Sequence, residues 1–154
     1  MSETADIVAI VEIVPAKSWT GVPADRVSLD YDGRRRRRIV LTGASGGRYL
    51  LELAQAAHLR DGDALKLADG RLVAVMAVSE PLLEVRAASA EALLRLAWHI
   101  GNRHLAAAVF ADRILIRRDH VIAHMLEHQG AQLREVEAVF DPEGGAYHDH
   151  AHEP

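Results

Sequence analysis

Residues 82–140 read "LLEVRAASAEALLRLAWHIGNRHLAAAVFADRILIRRDHVIAHMLEHQGAQLREVEAVF", and this stretch decides the fold. Its head, "LLEVRA", has strand character. Ser89 reads as the N-cap of "SAEALLRLAWHI", in which Leu93, Leu94, Leu96, Ala97 and Ile100 recur at helical spacing and make one apolar stripe. Gly101 and Asn102 are helix-ending residues. "LAAAVF" and "RILIRR" read as two strands with a tight link at Ala111 and Asp112. Asp119 caps a second helix running to about Gln129, with Val121, Ile122, Met125 and Leu126 inward, and Gly130 ends it. "AQLREVEAVF" alternates as a strand does. The order is β-α-β-β-α-β, the ferredoxin-like pattern.

Upstream of this stretch the grammar is β. "RVSLDYDGRRRRRIVLTG" (residues 26–43) holds two β-prone segments around Asp32 and Gly33, which reads as a hairpin turn. Asp61-Gly62 and Asp69-Gly70 signal further turns between short runs such as "ALKLA" and "RLVAVMAV". "SEPL" reads as a boundary, with Pro81 breaking strand pairing. The expected fold class is therefore α+β. A small N-terminal β-barrel or sandwich covers residues 1–78, a ferredoxin-like domain covers 82–142, and a flexible His-containing tail covers 143–154.

Composition narrows the function. The chain has 154 residues, is 49% hydrophobic and holds 0 cysteines, so disulfides, thiolate catalysis and Cys-based metal sites are excluded. "MSETADIVAIVEIV" carries acids and no Lys or Arg, the opposite of a secretory signal. No apolar run exceeds that of residues 105–111, which is far short of the about 20 residues needed to cross a bilayer. The expectation is a cytoplasmic protein without membrane contact. A net charge of -4 disfavours a general nucleic-acid binder. The exception is the "RRRRR" run at residues 34–38. In a strand its side chains would alternate faces and guard an edge; the alternative is a surface for an anionic partner. "GASGGR" lacks the Lys-Ser/Thr ending of a Walker loop, and no G-x-S-x-G elbow or acid/base carboxylate pair is readable, so an enzyme is not expected.

Histidine is the residue in excess, with 9 in the chain. His148, His150 and His152 occupy alternate positions of the tail, where an extended chain presents them on one side, and imidazole suits Ni, Cu and Zn. "WHIGNRH" carries His99 and His104, too far apart for one helical face. His120, His124 and His128 follow i, i+4, i+8 along one edge of the second helix. Such a pair chelates metal in zincin helices, but "HVIAH" lacks the Glu of that motif. A solvated helix edge is the plainer account of His124 and His128.

"WHIGNRH", "RILIRRDHVIAHML" and "VEAVFDPEGGAYHDHAH" together resemble the urease accessory protein E family, over roughly residues 82–152. The first half resembles it more loosely, through "LRDGDALKLADGRLVAV". The resemblance implies a nickel metallochaperone that is not itself an enzyme: an N-terminal domain for a peptide or partner protein, a ferredoxin-like metal domain and a homodimer. It further implies delivery of Ni(II) to the urease apoprotein through the accessory GTPase, with Zn(II) or Cu(II) as competing metals. His104 matches the principal nickel ligand at the dimer interface, and His120 matches a secondary metal position. His148, His150 and His152 match the variable His tail. Trp98 stands where the family has Tyr, in an aromatic packing role. The alternative is a Zn, Cu or Ni buffer or sensor with no delivery role.

Overall fold

A computed structural model describes residues 6–144 of the chain. The chain divides into two compact units between Val78 and Ser79. In the first, strands β1 (Ile7–Val14), β2 (Asp25–Leu29), β3 (Arg38–Thr42), β4 (Arg48–Glu52), β5 (Ala64–Leu67) and β6 (Leu72–Ala77) form one sheet in the order β2-β6-β5-β1-β4-β3. β1 serves two neighbours. Ile7, Val8 and Ala9 pair parallel with β4, and after a bulge Glu12, Ile13 and Val14 pair antiparallel with β5. That bulge bends the strand, and the sheet curls into a nearly closed barrel around Val27, Leu41, Leu51, Leu65 and Val73.

Asp25 ties the outer strand β2 to the β3–β4 hairpin at the other end of the sheet order. It sits at the start of β2 and is 7% exposed. Its carboxylate accepts hydrogen bonds from the Ser45 and Tyr49 hydroxyls at 2.5 Å each, and from the Arg26 and Ser45 amides at 2.8 and 3.1 Å. Ser45 lies in the β3–β4 turn, and the neighbouring Ala44 amide donates to the Arg26 carbonyl at 2.8 Å. The glycines of "GASGG" follow from this approach. A Cβ on Gly43 would lie 1.9 Å from the Asp25 carboxylate, and one on Gly47 would lie 2.3 Å from the Tyr49 hydroxyl.

The hairpin expected at Asp32 and Gly33 does not form. Asp30 accepts from the Gly33 amide at 2.8 Å and caps a one-turn helix, α1 (Tyr31–Arg34). β2 then pairs with β6 in parallel and β3 pairs with β4, at opposite ends of the sheet order. The arginine run consequently does not alternate along a strand. Arg34 is fully buried and reaches the Leu59 carbonyl, Arg35 lies over the Tyr31 ring at 5.3 Å, and among the five only Arg38 enters β3. The Asp69-Gly70 turn does join β5 to β6, with Gly70 at φ 89°.

The second unit runs β7 (Ser79–Arg86), α2 (Ala90–Asn102), β8 (Ala108–Val109), β9 (Ile114–Arg117), α3 (His120–His128), β10 (Gln132–Val139). The sheet order is β10-β7-β9-β8 with every pair antiparallel, which is the ferredoxin-like arrangement. Pro81 does not break pairing: it sits opposite Glu137 in the β7–β10 ladder. The β9 register begins only at Leu82, so on that side Pro81 has no ladder bond to lose. Leu83 and Val85 of β7, Ile114 and Ile116 of β9, Leu93, Leu96 and Ile100 of α2, and Leu126 of α3 pack into one core. Both helices therefore cover the same sheet face. Two residues expected in that core are outside it: Leu94 is 71% and Val121 62% exposed. Successive helical residues are turned by about 100°, so a stripe set by Leu93, Leu96 and Ile100 leaves Leu94 on the outward side. Among the described residues no helix is long and apolar enough to cross a membrane.

Burial on its own would raise the Asp25 carboxyl, but the Ser45 and Tyr49 hydroxyls and the Arg26 and Ser45 amides outweigh it and hold the pKa at about 2, against an ordinary 3.8. A carboxyl depressed on folding stabilises above its unfolded pKa, and that contribution is lost as pH falls through the folded one. The shift corresponds to about 2 kcal/mol, lost between about pH 4 and pH 2. Acid titration followed by circular dichroism is expected to show this loss in the wild type and not in Asp25→Asn. At pH 7, Asp25→Ala is expected to cost about 3 kcal/mol in urea unfolding, because it strands the Tyr49 and Ser45 donors.

Candidate metal centre

Helix α2 sets the position of His104. Ser89 caps its start by accepting from the Ala92 amide at 3.1 Å, and Gly101 and Asn102 form its last residues. The chain then turns sharply, with the Arg103 and His104 amides donating to the Ile100 and Gly101 carbonyls at 3.2 and 3.0 Å. His104 takes φ 58° in this turn, a left-handed conformation that glycine adopts without strain and other residues adopt at a cost of about 1 kcal/mol. It is exposed. The left-handed backbone thus coincides with an exposed side chain.

His99 lies one turn back from the end of α2, half-buried, with its ring edge-on to Trp98 at 5.1 Å. Trp98 is not packed into the core: it is 64% exposed, one turn beyond Leu94 on the same outward side. The helix reading placed Leu94 in the core and missed this outward apolar pair. The signal was the i, i+4 spacing of Leu94 and Trp98 among Glu91, Arg95 and Asn102.

His120 opens α3. Asp119 caps the helix by accepting from the Val121 and Ile122 amides at 2.9 and 3.1 Å, leaving the His120 side chain exposed beside the cap. His124 and His128 follow on the same edge. Among the described residues no group of three or more His, Asp or Glu stands together in a form that would hold a metal ion. Within one chain, then, His104 and His120 do not build a closed three-ligand site with the described residues. His148, His150 and His152 lie outside those residues.

A family model described as the UreE urease accessory protein, N-terminal domain, matches residues 10–78, and its C-terminal counterpart matches residues 80–154. The chain belongs to the UreE urease accessory protein family. It is similar to the urease accessory protein UreE of a Bradyrhizobium species, strain BTAi1, with 55% identity over 134 residues, 87% of this chain and 65% of that protein. The corresponding protein of Beijerinckia indica is 48% identical over 90% of this chain and 84% of its own length. That of Ruegeria pomeroyi is 46% identical over 96% and 99%. The chain thus spans just under two thirds of the Bradyrhizobium protein, and nearly all of the Ruegeria protein.

Substitution at His104 separates backbone from imidazole. His104→Gly and His104→Ala both remove the ring, but only glycine relaxes at φ 58°. Thermal unfolding is expected to find His104→Gly more stable than His104→Ala by about 1 kcal/mol. Equal stability of the two variants would mean that the left-handed turn carries no strain.

Proposed function

We propose that the chain is a nickel metallochaperone of urease maturation. It takes up Ni(II) as cargo and passes it to the urease apoprotein through the accessory GTPase. The observation that carries this is the family match, which runs through both units and whose relatives are named urease accessory proteins. His104 is the anchoring ligand. One imidazole binds metal poorly, so two copies of His104 meet across the two-fold axis of a homodimer, as a single surface does when it pairs with itself.

The outward side of α2 supports the dimer. Leu94 and Trp98 lie exposed one turn apart, on the helix whose end carries His104. A large apolar pair of this kind is where a second copy gains most by excluding water. His120 is a secondary ligand, and His148, His150 and His152 are tethered ligands that complete the shell. A tethered arm loses entropy on binding, which favours release to the next protein. The protein acts as a cytoplasmic carrier and not as a catalyst. Residues 1–78 serve a protein partner, and residues 82–142 with the tail 143–154 hold the metal.

Titration calorimetry with Ni(II) is expected to show that His104→Ala loses the tightest binding event, while a chain stopped at Tyr147 loses ions but keeps it. In a coupled assay at limiting nickel, the wild type raises urease activation and His104→Ala does not. Binding without any rise in activation would mark a Zn, Cu or Ni buffer and sink the delivery role. Leu94→Glu with Trp98→Glu is expected to convert a dimer to a monomer in sedimentation; an unchanged mass would remove the α2 face from the interface.

A further inference from the structure

Helix α3 carries an unassigned pair of histidines. The His124 and His128 rings stand 5.5 Å apart between centroids with their planes at 69°. Metal–nitrogen bonds of about 2.0–2.1 Å at a near-tetrahedral angle put two imidazole centroids about 5 Å apart. The observed spacing is therefore close to that of two rings sharing one ion.

Three further features favour binding over a merely solvated edge. Both side chains are exposed, and among the described residues neither ring is hydrogen-bonded or ion-paired. The edge is held in place, because the Asp119 cap fixes one end of α3 and Leu126, between the two histidines, is fully buried. A bound ion would also lie over the last turn of α3, where the helix dipole favours a cation.

We propose that His124 and His128 chelate one divalent transition-metal ion per chain, Ni(II), Zn(II) or Cu(II), with water filling the remaining positions. Two protein ligands make a site that is weaker and exchanges faster than a closed one, which suits the first capture of an ion. The chelate stands on the geometry of α3; its use as a loading position ahead of His104 rests on the carrier function proposed above.

The test is calorimetry with excess NiCl2, and separately CuCl2, on the full chain. His124→Ala with His128→Ala is expected to bind one ion fewer per chain than the wild type while retaining the tightest event. Alanine at exposed helix positions keeps α3 folded, which far-ultraviolet dichroism checks. Each single substitution is expected to weaken this event about tenfold or more, since the second imidazole acts at high effective concentration. His120→Ala is expected to leave the event in place. An unchanged ion count in the double variant, made in the wild type or in a His120→Ala background, would overturn the chelate. Loss of the tight event in His104→Ala reports on the carrier reading alone, so the two ideas fail separately.

Discussion

Asp25 holds four hydrogen bonds in a place that water scarcely reaches, and the shape of the first unit follows from it. A six-stranded sheet that curls must bring its two outer strands together, and unpaired edges invite pairing with other chains. Here β2 supplies a carboxylate, Ser45 of the β3–β4 turn supplies a hydroxyl and an amide, and Tyr49 of β4 supplies a second hydroxyl. Donors converging on a charged acceptor give short, strong bonds. The same closeness admits no side chain at Gly43 or Gly47. One buried acid thus accounts for two glycines of this turn.

The second unit uses a buried carboxylate differently. Glu84, at the middle of β7, is 6% exposed and meets Arg86 at 2.9 Å, Arg134 of β10 at 3.3 Å and Arg113 before β9 at 3.9 Å. The Arg86 hydrogen bond, against the opposing effect of burial, and the Arg134 charge hold its carboxyl below the usual range. Glu84 lies on the sheet face opposite Leu83 and Val85, which face the helices. Charge thus binds the three strands on one side, while the apolar core and both helices occupy the other.

Much of the second unit was legible because its signals are local. Ser89 and Asp119 cap the two helices, and Gly130 follows α3 with φ 85°. The first unit was less legible because its pairings are not local. The parallel pairs β1–β4 and β2–β6 join segments separated by other strands, and no short pattern announces them. The Asp32-Gly33 dipeptide misled because Asp30, two residues earlier, competes for the same backbone as a helix cap. Leu94 and Val121 misled because an apolar residue in a helical pattern is easily credited to the nearer stripe. The histidines were visible as residues, but the left-handed turn at His104 and the spacing of the His124 and His128 rings depend on dihedral angles that a sequence does not display.

The placement of those histidines has a physical logic of its own. α2 and α3 spend their apolar residues on one shared core, through Leu93, Leu96, Ile100 and Leu126. That leaves their outer edges free of folding duty. A ligand needed by a carrier must be accessible, yet held by something that does not move when the ion arrives or leaves. Helix edges and helix ends anchored over a packed sheet meet both demands. A ligand within the core would be rigid but closed to exchange, and one on an untethered segment would be open but poorly aligned. As the ligands proposed above, His104 at the end of α2 and His124 with His128 on the edge of α3 meet both demands: their side chains are exposed and their backbone is anchored.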